Sequence, residues 1–121
     1  MQRILIVDDD RATCEFIEEL LADPAREFVS SQDPEDAISR IRQMPFDLLI
    51  TDLNLNAARS GLDVLRTFTT ERPACPVILI SGFGTLETAI DAVRAGAFDF
   101  ISKPFEIGSV KATVERALRH A

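Results

Sequence analysis
The sequence predicts a doubly wound α/β domain on one five-stranded parallel sheet, and three observations carry that reading. Short apolar runs alternate with longer amphipathic stretches, an order that folds into a parallel sheet with crossover helices. Three runs, Ile4-Leu5-Ile6-Val7, Leu48-Leu49-Ile50 and Val77-Ile78-Leu79-Ile80, are apolar at consecutive positions, as strands buried on both faces are. The 121 residues, 46% of them hydrophobic, are enough for one core and leave little room for a second domain.

The elements follow in order. Arg3–Asp8 is the first strand, and Asp10 reads as the N-cap of a helix whose apolar stripe is Phe16, Ile17, Leu20 and Leu21. Glu27–Ser30 suggests an edge strand. Asp33 and Pro34 supply an N-cap and a first-turn proline for a second helix with Ala37, Ile38 and Ile41 on its inner face. Phe46–Thr51 is the third strand, and Leu62, Leu65 and Phe68 mark a helix beginning near Gly61. Val77–Ser81 is the fourth strand. Thr85 opens a fourth helix with Leu86, Ala89, Ile90 and Val93 at helical spacing, and Gly96 stands at its C-terminal cap. Phe98–Ser102 is the fifth strand, and Ile107, Val110, Val114, Ala117 and Leu118 form the stripe of a fifth helix. Right-handed crossovers lay these strands into one sheet. The flavodoxin-like (βα)5 strand order 2-1-3-4-5 fits five such units.

Composition excludes several classes of function. The net charge is −7, from 20 acidic and 13 basic residues, which argues against gripping a nucleic-acid backbone directly. Cys14 and Cys75 have no metal-ligand spacing and sit among apolar neighbours, as free thiols of a reducing cytosol do. No charged-then-apolar leader and no long apolar span are present, so the expectation is a cytoplasmic protein without a membrane segment.

In a doubly wound sheet, ligands bind beyond the carboxyl ends of the strands. Those ends carry Asp8 and Asp9 on the first strand, Asp52 on the third, Ser81 on the fourth, and Lys103-Pro104 after the fifth. Three carboxylates gathered in one crevice raise one another's pKa or recruit a cation. An oxygen-only donor set suits Mg²⁺. A cation, the Lys103 ammonium and the Ser81 hydroxyl around one carboxylate make a clamp for a phosphoryl group. A carboxylate can itself be the nucleophile, and Asp52, on the central strand, is the candidate. Singly, each residue has a plainer reading: Asp10 as a helix cap, Asp8 or Asp9 as a solvated loop acid, Lys103 as a surface lysine, Ser81 as a turn residue, Phe100 as core, and Asp47 and Asp99 as structural. Their joint placement at four strand ends is what favours a site.

The segments "ILIVDDD", "FDLLITDLNL", "VILISGFG" and "FDFISKPF" occur in order over essentially the whole chain, and together resemble the response-regulator receiver domain of bacterial two-component signalling. The resemblance implies one receiver domain over residues 1–121. In it, Asp52 accepts a phosphoryl group from a phosphohistidine of a sensor histidine kinase. Mg²⁺, with Mn²⁺ as an alternative, is held directly by Asp9, Asp52 and the backbone carbonyl of Asn54, with Asp8 acting mainly through water. Lys103 pairs with the phosphate, the Lys103–Pro104 bond is cis, Ser81 bonds a phosphoryl oxygen, and Phe100 occupies the aromatic switch position. Many members carry tyrosine there; Phe100 has no hydroxyl, so its inward state rests on packing. Such a domain is a regulator and not an enzyme, catalysing only its own phosphorylation and dephosphorylation.

One stretch departs from the pattern. The family usually has proline four residues after the acceptor and glycine eight after; here Asn56 takes the first place, and Gly61 comes one residue late. The output face expected from the resemblance is the fourth helix, fifth strand and fifth helix, where homodimers also form. "SGFGTLETAIDAVRAGAFDFISKPF" most resembles receivers of the nitrogen-regulator class of enhancer-binding activators, multidomain proteins with an AAA+ ATPase and a DNA-binding module. The chain would then be an excised receiver, its output domain lying elsewhere, or a stand-alone regulator. Three rivals fit less well. A haloacid-dehalogenase-type phosphatase needs an acid two residues after its nucleophile, where Asn54 stands. A flavin module would not place "DDD" at its phosphate loop. An interaction module that is never phosphorylated leaves the acid pair, acceptor and lysine without a use.

Overall fold
The computed structural model of the chain describes residues 1–53, 61–82, 90–91 and 93–120. The elements are β1 (Gln2–Val7), α1 (Arg11–Leu21), β2 (Arg26–Ser31), α2 (Pro34–Gln43), β3 (Leu48–Asp52), α3 (Gly61–Glu71), β4 (Val77–Ser81), β5 (Asp99–Ser102) and a C-terminal helix (Ile107–His120). All strand pairs are parallel and the sheet order is β2-β1-β3-β4-β5, as predicted.

The consecutive apolar runs are divided between two cores by strand alternation. Leu5, Val7, Leu49, Val77 and Leu79 face α2 and α3, which contribute Ala37, Ile38, Ile41, Val64, Leu65 and Phe68. Ile4, Ile6, Leu48, Ile50, Ile78 and Ile80 face α1 and the C-terminal helix, which contribute Cys14, Ile17, Leu21, Val110, Val114 and Ala117. Both faces of the sheet are thus covered, and its polar chemistry is pushed to the strand ends.

The helix ends follow local chemistry. Asp10 accepts from the Ala12 amide at 3.0 Å and caps α1. Asp33 caps α2 by accepting from the Asp36 amide at 3.3 Å, with Pro34 in the first turn. Gly96 has φ +100°, the left-handed conformation a helix C-terminus favours, and its amide donates to the Val93 carbonyl at 3.1 Å.

Several expectations change. β1 and β2 both start one residue earlier than predicted; β1 ends at Val7, before Asp8, while β2 runs on to Ser31. β3 starts at Leu48 and reaches Asp52, because Asp47 is turned to accept from the Arg3 amide at 2.8 Å. β5 begins at Asp99 and not Phe98. Phe16 is not core: it is 42% exposed, since Cys14, Ile17 and Leu21 set the inward face of α1 and leave Phe16 to one side. Ile107, in the first turn of its helix, and Ile90 and Val93 are exposed as well. Cys75 is half-buried. Of the predicted fourth helix, Ile90, Asp91, Val93 and Arg94 are helical; Thr85, Leu86 and Ala89 lie outside the described residues.

Candidate functional site
Register brings the predicted polar residues to one edge. Val7 pairs with Thr51, Asp52 with Ile80, and Ser81 with Ser102, so the residues that follow or end each strand emerge side by side. Asp8 is fully buried, Asp52 nearly so, and Asp9 is exposed. One oxygen from each of these three carboxylates lies within 4.8 Å of the others.

Lys103 closes the cluster. Its amide donates to the Ser81 carbonyl at 2.8 Å, extending the β4–β5 ladder, and the Lys103–Pro104 bond is cis. Its Nζ donates to Asp8 Oδ2 and to Asp52 Oδ2, both at 2.9 Å. Burial lowers the lysine pKa, but the hydrogen bonds and charges of Asp8 and Asp52 outweigh it and leave the group above its ordinary value. Lys103 is therefore an ammonium at neutral pH.

Asp8 is held on its other side, where Oδ1 accepts from the Asp10 amide at 2.9 Å. That bond makes "DDD" legible: Asp8 turns inward, Asp10 starts the helix, and Asp9 between them faces solvent. Three carboxylates and one ammonium leave an excess of negative charge in a crevice lined by oxygen donors. Such a donor set fits a hard divalent cation.

Ser81 is buried at the end of β4. Phe100 lies on β5 opposite Leu79, half-buried against the core shared with α2 and α3. The structure thus brings Asp8, Asp9, Asp52 and Lys103 together, with Ser81 at the adjoining strand end. Asn54 lies outside the described residues. Asp47 and Asp99 stand apart: Asp47 ties β3 to β1, and Asp99 accepts from its neighbour Phe100 at 2.7 Å and pairs with Arg116 at 3.1 Å.

Two features escaped the sequence reading. Phe16 stacks on Phe105, ring centroids 6.3 Å apart and planes 7° from parallel, next to Lys103 and Pro104. A cavity of about 330 Å³ lies there, lined by Asp10, Ala12, Thr13, Phe16, Lys103, Pro104 and Phe105. The phenylalanine after "SKP" is visible in the sequence, but its partner Phe16 falls within the apolar stripe of α1 and nothing in the spacing joins the two. The second is Gly61, whose backbone lies against Asp52.

The family model described as the response regulator receiver domain matches residues 4–115. Among curated relatives, the response regulator protein PilR of Pseudomonas aeruginosa is 38% identical over 118 residues, covering 98% of this chain and 26% of PilR. The nitrogen assimilation regulatory protein NtrX of Azorhizobium caulinodans is 36% identical over 116 residues, covering 95% of this chain and 26% of NtrX. The chain thus spans about a quarter of the length of these relatives. Among solved structures, the receiver domain of NtrX from Brucella abortus superposes with a TM-score of 0.89 at 34% identity, covering 98% of this chain and 99% of that one. A CheY-like receiver domain protein from Methanospirillum hungatei gives 0.89 at 26% identity, covering 98% and 94%.

Proposed function
The chain belongs to the response regulator receiver domain family, and from that premise we propose that it is a phosphorylation switch with Asp52 as the acceptor. The observation that carries the reading is Lys103 Nζ, 2.9 Å from both Asp8 and Asp52 at the mouth of a three-carboxylate crevice. In the proposed step a carboxylate oxygen of Asp52 attacks the phosphorus of a phosphohistidine. The P–N bond breaks, and its electron pair stays on the imidazole nitrogen of a sensor histidine kinase.

Asp9 and Asp52 would hold Mg²⁺ or Mn²⁺ directly, with the carbonyl of Asn54, and Asp8 through water. The bound cation supplies positive charge against the phosphoryl oxygens. Phosphorylation adds about −1.5 to −2 charges and three acceptor oxygens. Lys103 offsets part of that charge. Ser81 donates to one of the new oxygens, drawing its strand end inward, and Phe100 repacks behind it. The phosphoryl group biases a two-state equilibrium that exists without it. Reversing that equilibrium from 1:99 to 99:1 takes about 5.5 kcal/mol, within reach of a few charge-assisted hydrogen bonds.

The output face is the helix before β5, β5 itself and the C-terminal helix, which also serves as a dimer interface. The Phe16–Phe105 pair, with Phe16 exposed and Phe105 half-buried, favours a protein phosphodonor, because it offers an apolar seat beside Lys103. Likeness to NtrX, a nitrogen assimilation regulatory protein, supports placement in the nitrogen-regulator class; a transcriptional output would then be carried by other domains. The chain itself then binds no nucleic acid. It acts in the cytoplasm, and among the described residues no helix is long and apolar enough to cross a membrane.

Beryllofluoride, which mimics the phosphoryl group, tests the switch. With Mg²⁺ it should shift the amide resonances of Ser81 and Phe100 in the wild type and leave them in place in Asp52→Asn. Equal spectra with and without beryllofluoride in the wild type would overturn the reading.

A further inference from the structure
We infer that Gly61 and Thr51 are positioning residues for the acceptor, fixing the peptide on which the Asp52 carboxylate stands; the inference rests on Asp52 being the phosphoacceptor. A Cβ placed on Gly61 would lie 1.9 Å from the Asp52 carbonyl oxygen, 2.8 Å from its carbonyl carbon and 2.8 Å from Leu53 Cα. All three are backbone atoms, so none can swing aside as the end of a side chain does.

Glycine at this position answers to space and not to backbone conformation. Gly61 is not in the left-handed region; among the described residues the positive-φ glycine is Gly96, where a Cβ would meet nothing closer than Thr69 Cγ2 at 3.7 Å. The first turn of α3 is therefore laid directly on the Asp52–Leu53 peptide.

Two hydrogen bonds hold the same peptide from other sides, and a third holds the carbonyl of the next. The Gly61 amide donates to the Leu53 carbonyl at 3.1 Å, and the Leu53 amide donates to the Ile80 carbonyl at 2.8 Å. Thr51 Oγ1, fully buried, donates to the Asp52 carbonyl at 3.2 Å. The oxygen that a Gly61 side chain would strike is thus the one the Thr51 hydroxyl engages. Asp52 has few side-chain torsions, so the place of its carboxylate against Lys103 is set by where this peptide lies.

Real Cβ atoms keep at least about 3.0 Å from such neighbours, so Gly61→Ala must move the peptide or the helix by about 1 Å. A misplacement of that size at a reacting group can cost about 100-fold in rate. Thr51→Val removes the hydroxyl while keeping the branched shape, and Thr51→Ser keeps the hydroxyl.

The experiment measures phosphorylation of the chain by acetyl phosphate and Mg²⁺, as a saturation curve in donor, alongside the carboxyl ¹³C resonance of Asp52 without donor. Gly61→Ala should lower the limiting rate by about 10- to 100-fold with little change in the half-saturating donor concentration. Thr51→Val should lower it by a smaller factor, Thr51→Ser should recover it, and both impaired variants should shift the Asp52 resonance. Gly96→Ala, strained but remote from Asp52, should lose stability and keep the rate. If Gly61→Ala does not fold, the Thr51 pair decides the matter. Wild-type rates and an unmoved resonance in folded Gly61→Ala, or in Thr51→Val, would overturn the proposal. A wild type that takes no phosphoryl group would instead overturn the reading on which it rests.

Discussion

Lys103 and Asp52, 51 positions apart in sequence, meet at 2.9 Å across the ends of two strands that are not neighbours in the sheet. β4 separates β3 from β5, and the lysine reaches over its end because the residue after β5 is tied to the Ser81 carbonyl. The same ammonium satisfies Asp8, which is fully buried. One side chain thus compensates two buried carboxylates.

Removing it should expose their repulsion. Lys103→Met is expected to lose about 1–3 kcal/mol of stability in buffer without divalent cations, toward the low end because the lysine is partly solvated. Mg²⁺ should restore part of the loss. Urea denaturation with and without Mg²⁺ measures both; a variant as stable as wild type in the absence of Mg²⁺ would refute the compensation.

The two phenylalanines at helical positions of α1 and α3 should behave oppositely. Phe68 is fully buried between the sheet and two helices, so Phe68→Ala should cost about 3–5 kcal/mol. Phe16 is 42% exposed and touches Phe105, so Phe16→Ala should cost about 0.5–1.5 kcal/mol. Equal losses in thermal or urea unfolding would return Phe16 to the core.

The Cys14 thiol predicts an alkaline weakness. Burial pushes it up from 9.0 to about 11, with a hydrogen bond from Gln32 opposing. Above pH 9.0 the unfolded chain loses this proton first, so the folded state is progressively disfavoured up to about 11 and is unaffected below. Denaturation at pH about 8 and about 10.5 should show a loss on the order of 2 kcal/mol that is reduced in Cys14→Ala. Identical pH dependence in the two proteins would exclude Cys14 as its source.

Asp33 offers a local check on the folding argument. Its carboxylate caps α2, and Asp33→Ala should cost about 1 kcal/mol, with Asp33→Asn close to neutral. A loss in the asparagine variant as large as in the alanine variant would assign the effect to charge and not to capping.

The fold was legible because both faces of the sheet are buried: continuous apolar runs such as Ile4–Val7 have few other uses, and Asp33-Pro34 and Gly96 punctuate their helices chemically. The site was legible because strand ends in a parallel sheet converge, whatever lies between Asp9, Asp52 and Lys103 in sequence. Phe16 was misread because the period of α1 admits two adjacent stripes, and only packing shows that Cys14 belongs to the inner one. The closeness of Gly61 to Asp52 had a faint sequence signal, a glycine displaced by one position. That spacing carries no distance, and the contact depends on how α3 is laid on the end of β3.

Intact-protein mass tests most directly whether Asp52 accepts a phosphoryl group in a crevice that needs a divalent cation. After incubation with acetyl phosphate and Mg²⁺, the wild type should gain the mass of one phosphoryl group, with no gain when Mg²⁺ is chelated or in Asp52→Asn. A folded wild type that gains no mass, or an Asp52→Asn variant that gains the same mass, would contradict that role.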